Sequence, residues 1–130
     1  MTPTGNRGDG WARAVLAAAV AVNLVVLYWP RPVSDGGIPY ADKVVHVGIF
    51  AVVAIAGLRA RVPLAWLVGL LAVHAVSSEL VQHWFLVNRS GDPADVVADL
   101  VGVAVGVVVG RKLAARTAVA ATRSGGSLSS

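Results

Sequence analysis

Residues 16–27 have the sequence LAAAVAVNLVVL, an apolar run that only Asn23 interrupts. A helix from Trp11 to Tyr28 would be ~27 Å long at ~1.5 Å per residue, close to the ~30 Å hydrocarbon thickness of a bilayer. The stretch therefore predicts a membrane-spanning helix. The alternative is a cleaved signal peptide, although the following segment, Trp29-Pro30-Arg31-Pro32, offers no cleavage site with small residues.

The composition of the whole chain favours a membrane protein. The 130 residues are enough for one domain, and 56% of them are hydrophobic while 14% are charged, against ~25% charged in soluble domains. These values exclude an ordinary soluble domain and extensive disorder. The chain contains no cysteine, which excludes disulfide scaffolds, thiolate metal sites and cysteine nucleophiles.

Three more helices follow from the apolar segments and their boundary residues. They are predicted from Asp42 to about Leu58, from Pro63 to about Gln82 and from Pro93 to about Gly110. The last two have proline in the first turn, and Asp92 is the predicted N-cap of the last one. The predicted fold is an all-α integral membrane four-helix bundle. The transmembrane domain is assigned to 11–112, between a polar N-terminal tail, 1–10, and a mostly disordered C-terminal tail, 113–130.

The basic residues predict the orientation of this bundle. Eight of the 11 lysines and arginines lie in the segments that share a side with the termini: Arg7, Arg13, Arg59, Arg61, Arg111, Lys112, Arg116 and Arg123. By the positive-inside rule, both termini are expected to be cytoplasmic. Contact with a bilayer then explains the net charge of +4, and no nucleic-acid partner is expected.

Polar residues concentrate at the opposite ends of the helices. Asp42 and His46, Glu79 and Gln82, and Asp95 and Asp99 are pairs three or four residues apart that share helix faces. Lys43 and Arg89 complete the group. A charged group facing lipid costs at least ~2.5 kcal/mol, so these side chains are predicted to face one another in an outward-facing pocket. The stripe of Gly102, Gly106 and Gly110 is predicted to pack helices closely beneath it.

The predicted pocket has excess negative charge. Four acids, Asp42, Glu79, Asp95 and Asp99, oppose Lys43 and Arg89, a formal sum of −2. A protonated histidine (His46 or His83), a protonated carboxyl group or a bound divalent cation would each compensate. Asp42 and Asp92 also have a simpler interpretation as helix caps. Outside the pocket, His74 is expected to bond to a backbone carbonyl or to Ser78, and Asn23 to a neighbouring helix.

Several of these residues also form ordered motifs. The blocks are Asp42-Lys43-x-x-His46, Glu79-x-x-Gln82, Arg89, and Asp95-x-x-x-Asp99-x-x-Gly102-x-x-x-Gly106. Over roughly residues 40–110 the pattern resembles the VanZ-like family of small bacterial membrane proteins, with Asp99 at a position where that family often has asparagine. The resemblance implies a multi-pass protein of the bacterial plasma membrane and an association with low-level resistance to teicoplanin-type glycopeptides, by a mechanism that is not established.

Three functions are consistent with the sequence. The first is a non-enzymatic pocket that binds a cell-envelope lipid or glycopeptide ligand. The second is a membrane-embedded, cation-dependent enzyme acting on a lipid-linked envelope component, with His46, Glu79, Asp95 and Asp99 as candidate catalytic residues and with the metal and oligomeric state left open. The third is a small dimeric transporter, for which a site near the midplane is expected.

Overall fold

The protein folds into four α-helices in a computed structural model that describes residues 7–29, 40–86 and 91–125. The helices are α1 (Arg7–Tyr28), α2 (Ala41–Arg59), α3 (Leu64–Phe85) and α4 (Pro93–Gly125). Each contains a segment that is long and apolar enough to cross a membrane. The prediction of an all-α bundle of four helices, each able to span a membrane, is confirmed.

Two helix boundaries differ by four residues or more from the predicted ones. α1 begins at Arg7 rather than Trp11, and α4 continues to Gly125 instead of ending near Gly110, so 113–125 is helical rather than disordered. The segment 111–122, RKLAARTAVAAT, contains neither glycine nor proline and is rich in alanine, the strongest helix former. The rest of the two predicted tails, 1–6 and 126–130, lies outside the described residues.

The interior of the bundle is small, and its outer surface is apolar. α2 packs most extensively against α4 and also contacts α1 and α3. The core consists of Leu27, Phe50, Val53, Ala54, Leu67, Leu71, Ala75 and Val103. Only 17–39% of each candidate span is buried, and side chains such as Trp66 and Leu70 point outward. An apolar exterior of this kind is what contact with lipid tails requires.

The close contact between α2 and α4 depends on glycine. A Cβ on Gly102 would collide with the Val47 carbonyl oxygen, and one on Gly106 would lie 2.5 Å from the Ala51 carbonyl oxygen. At Gly110 the nearest atom is instead the Leu58 Cδ1, at 2.8 Å. The two backbones therefore touch directly over the first two glycines and are separated by a side chain at the third.

The two ends of the bundle have different compositions. We call the end where α1 and α3 finish and α2 and α4 begin the polar end, because there Lys43 of α2 meets Asp95 of α4. The opposite end, which contains Arg59, Arg61, Arg111 and Lys112, is the basic end. At the basic end α2 closes with the hydrogen bonds Arg61 N–H to Leu58 O and Val62 N–H to Gly57 O, and Arg61 has a left-handed φ of 60°. This is a Schellman turn with arginine in the position that glycine usually occupies.

Candidate functional site

A buried histidine–aspartate pair joins α2 to α4 at the polar end. His46 lies just over one turn inside α2, and its Nδ1 is 2.9 Å from Asp99 Oδ1. The Nδ1–H tautomer of the imidazole donates this hydrogen bond. His46 is 6% exposed and Asp99 is fully buried. The second Asp99 oxygen, Oδ2, has no hydrogen-bond partner among the described residues.

Glu79 of α3 contributes a second buried carboxyl group. Its Oε2 accepts a hydrogen bond of 3.0 Å from the backbone N–H of Asp92, at the start of α4. Its Oε1 is buried and has no partner in the described part of the chain. Gly91 allows this approach, since a Cβ there would lie 2.6 Å from the Glu79 carbonyl oxygen and 2.9 Å from His83 Cβ.

His46, Glu79 and Asp99, here called the buried cluster, lie close enough to hold a metal ion. Each offers one donor atom, and the three donor atoms are all within 4.8 Å of one another. Three different helices supply them. An imidazole nitrogen with carboxylate oxygens is a donor set suited to divalent metals, and the same oxygens can accept hydrogen bonds from a ligand.

Lys43 lies nearer the polar end than this cluster and pairs with other acids. Its Nζ donates to Asp92 Oδ2 at 2.8 Å and to Asp95 Oδ1 at 2.7 Å, and it lies 3.6 Å from Asp42 Oδ2. The hydrogen bond from Lys43, with that from the Ala94 N–H, lowers the pKa of the Asp92 carboxyl group. The Lys43 ammonium group therefore balances the charge of these three acids and has no contact with Glu79 or Asp99.

The structure places Gln82 and Asp42 outside the buried cluster. Gln82 is buried and donates from Nε2 to the Leu27 carbonyl oxygen at 3.2 Å, which satisfies an acceptor at the end of α1. The Asp42 side chain is 44% exposed. Arg89 lies outside the described residues, so its predicted place in the pocket stays a prediction.

Asp92 has more contacts than sequence reasoning assigned to it. The predicted N-cap is present, because Asp92 Oδ1 accepts the Ala94 N–H at 2.9 Å. Asp92 also binds Lys43 through its second oxygen and Glu79 through its backbone N–H. The sequence pattern does not predict the bond from the Asp92 backbone N–H to Glu79, because every residue except proline has such a donor. The Asp92-Pro93 pair indicates only the start of a helix.

A second polar contact lies deeper in the bundle. His74 Nε2 is 2.9 Å from Asn23 Oδ1, and the His74 ring stacks on Phe50 with centroids 5.6 Å apart. The expected bond from Asn23 to a neighbouring helix is present. The expectation of Ser78 or a backbone carbonyl as the His74 partner is wrong, since the Ser78 hydroxyl donates to the Ala75 carbonyl oxygen of its own helix.

An apolar groove between α3 and α4 reaches the buried cluster from the side. It has a volume of about 210 Å³ and is lined by Glu79, His83 and Gly91 together with apolar side chains such as Leu80 and Val96. Glu79 is therefore adjacent both to the cluster and to a surface that an apolar chain can contact.

Comparisons of the chain with protein-family models, with curated proteins and with solved structures found no match. The VanZ-like resemblance thus rests on the sequence motifs alone and stays a prediction. What the chain does has to be argued from the geometry of the polar end.

Proposed function

We propose that the chain is a VanZ-like membrane protein of the bacterial cell envelope whose polar end binds an envelope component. The main support is the buried cluster, in which three helices bring two buried carboxyl groups and one imidazole together. One oxygen of each carboxyl group has no partner among the described residues. Buried polar atoms are normally paired, so these two oxygens suggest a ligand that supplies donors or positive charge.

The groove beside Glu79 suggests the kind of ligand. Its walls are mainly apolar, with Val76 and Leu80 from α3 and Val96 from α4, while Glu79 supplies a polar group beside them. A lipid-linked envelope component has the matching chemistry, because its acyl chain can contact the apolar walls while hydroxyl or amine groups of its head donate to the carboxylates. This arrangement would let the ligand enter from the outer leaflet.

The proposed function requires the polar end to face outward. Arg59 and Arg61 at the end of α2, with Arg111 and Lys112 of α4, support a cytoplasmic position for the basic end by the positive-inside rule. Both termini would then be cytoplasmic. The membrane concerned would be the bacterial plasma membrane.

Cysteine labelling tests the orientation, because the natural chain has no cysteine. Trp11 at the basic end and Phe85 at the polar end are matched sites, each 73% exposed. We expect a membrane-impermeant maleimide to label Phe85→Cys in intact cells and Trp11→Cys only after lysis. The reverse pattern would show that the polar end faces the cytoplasm.

Antibiotic susceptibility tests the envelope role. The wild type, expressed in a susceptible bacterium, is expected to reduce susceptibility to teicoplanin, and Glu79→Gln is expected to lose this effect at equal abundance in the membrane. Ser77→Ala is the matched control, since it removes a hydroxyl on the same helix that donates to the Val73 carbonyl oxygen at 2.8 Å. A Glu79→Gln variant as effective as the wild type would contradict a role for the cluster.

A cation-dependent enzyme acting on the same lipid-linked component is the second candidate. It is favoured by the three donor atoms within 4.8 Å of one another. In that case the cation would polarise a phosphate or ester group of the ligand. Turnover of a lipid-linked substrate by the purified protein would distinguish this function from binding alone.

A further inference from the structure

Among the described residues, neither a lysine nor an arginine contacts the carboxyl groups of the buried cluster. Glu79 is 6% exposed and Asp99 fully buried, and His46 is the only basic group in contact with Asp99 among the described residues. The nearby ammonium group, Lys43, is bound to Asp92 and Asp95 instead. A buried ionised carboxylate without compensation is strongly unfavourable, so the two carboxyl groups need either bound protons or a positive charge beside them.

We propose that His46, Glu79 and Asp99 form a binding site for a divalent transition-metal ion of the zinc class. The ion would be held by one imidazole nitrogen and one oxygen from each carboxylate. The unpartnered oxygens, Glu79 Oε1 and Asp99 Oδ2, are the free donors that such an ion requires. The +2 charge of the ion balances the −2 charge of the two carboxylates when the imidazole is neutral.

The spacing of the donors fits an ion of this size. Zinc bonds of about 2.1 Å in tetrahedral geometry place the ligand atoms about 3.4 Å apart. The donors already lie within 4.8 Å of one another, so they need to approach by about 1.4 Å at most. Rotation of side chains is sufficient for a movement of this size.

The donor types select the class of metal. Magnesium and calcium prefer sites made only of oxygen, whereas zinc and related ions bind imidazole readily. His46 Nδ1 faces Asp99 Oδ1 at 2.9 Å, so an ion bound there would replace the proton of this hydrogen bond, and the neutral ring would carry its proton on Nε2. Three protein ligands would leave a coordination position open, as in zinc sites that bind a substrate or water.

Zinc titration of the purified full-length protein tests this inference. The protein is treated with a chelator in detergent and titrated with Zn²⁺ by isothermal calorimetry, and its metal content is measured by elemental analysis. We expect one zinc per chain. Glu79→Gln and Asp99→Asn are expected to weaken binding by at least about 10-fold, because even residues that only support a metal ligand have effects of this order.

Two matched variants identify the site. Asp42→Asn at the same end and Asp9→Asn at the basic end each remove an acid whose side chain is partly exposed, 44% and 45% respectively. Both are expected to bind zinc like the wild type. Glu79→Asp, which keeps a carboxylate, is expected to bind more tightly than Glu79→Gln, and thermal unfolding shows which variants are folded.

Three results would overturn the proposal. They are a folded wild type that binds no zinc, displacement of zinc by excess Mg²⁺, and loss of binding in Asp42→Asn or Asp9→Asn equal to that in Glu79→Gln. The first result would indicate that the carboxyl groups are neutralised by protons. Zinc binding in detergent requires neither the proposed orientation nor an effect on antibiotics, so failure here and failure of the envelope role are separate outcomes.

Discussion

The two ends of the bundle are built from the same four helices, but some charged side chains are buried at the polar end, whereas those at the basic end are exposed. At the polar end Glu79 and Asp99 are buried, and each has an oxygen without a partner among the described residues. At the basic end Arg61 is 78% exposed in its side chain and lies 4.0 Å from Asp9, which is itself 45% exposed. An exposed pair at this distance contributes little to stability.

This difference indicates that buried charge is not needed to hold the helices together. At the basic end α2 and α3 pack through the Leu67 side chain against Gly57, and α2 and α4 through Leu58 against Gly110. Apolar contacts therefore suffice there. Since buried carboxylates are costly, their presence at the other end favours a function for them over a structural role.

The largest effect is expected from glycine variants that compare how tightly the two ends are packed. Gly102→Ala would bring a Cβ against the Val47 carbonyl oxygen and within 3.0 Å of Phe50 Cβ, so α2 and α4 must separate. We expect a loss of about 2–3 kcal/mol in the free energy of unfolding. Thermal and denaturant unfolding in detergent would measure it.

Gly110→Ala is the control at the basic end. Its new Cβ would meet Leu58 Cδ1 at 2.8 Å, the end of a flexible side chain that can rotate away. Alanine also favours the helix by up to about 1 kcal/mol relative to glycine, so the net change is expected to be small. Equal destabilisation by the two variants would show that the polar end is not the more rigidly packed one.

A smaller effect is expected from the acids around Lys43. Asp95, with a side chain 10% exposed, accepts a hydrogen bond of 2.7 Å from Lys43 Nζ. Asp95→Asn removes this charged partner and should cost about 2 kcal/mol of stability, a typical value for a hydrogen bond to a charged group. The same unfolding measurements would detect it.

Asp42→Asn provides the comparison within the polar end. Asp42 also lies in the first turn of its helix, but its carboxylate is 3.6 Å from Lys43 and 44% exposed. Its replacement should change stability by less than about 0.5 kcal/mol. If Asp42→Asn were as costly as Asp95→Asn, burial would not determine the contribution of these acids.

Much of the fold follows from the sequence because lipid imposes simple rules. Long apolar segments predict the four helices, and the cost of charge in lipid predicts that polar side chains turn inward. Residues three and four apart, such as His46 near Asp42 or Glu79 near Gln82, share helix faces. The sequence therefore indicated which helices provide polar groups at one end of the bundle.

The finer features of the site depend on contacts that residue patterns do not encode. Turn counting places Gln82 and Glu79 on one face, but it does not show that Gln82 bonds to the Leu27 carbonyl oxygen while Glu79 meets Asp92. The extension of α4 to Gly125 depends on the helix propensity of an alanine-rich segment, whereas apolar length predicts only the part of a helix that lies in lipid.

The smallest effect is expected from pH, through Asp92. Its pKa in the folded protein is lowered, chiefly by the hydrogen bond from Lys43, below the ordinary value of about 3.9. A lowered pKa means that the ionised carboxylate stabilises the fold. This contribution is complete above the pKa of the unfolded chain and is lost as the pH falls through the lower pKa of the folded state.

Asp92→Asn isolates this charge, because asparagine is an equally good N-cap and can still accept the Ala94 N–H. Wild type should unfold at a higher temperature than Asp92→Asn near neutral pH, and the difference should shrink below about pH 4. Asp9→Asn at the basic end is the control for removal of an acid in an exposed pair. Its unfolding temperature should differ little from that of the wild type across the same pH range, since the pair with Arg61 is exposed. A difference for Asp92→Asn that stayed constant into the acid range would show that its charge does not stabilise the polar end.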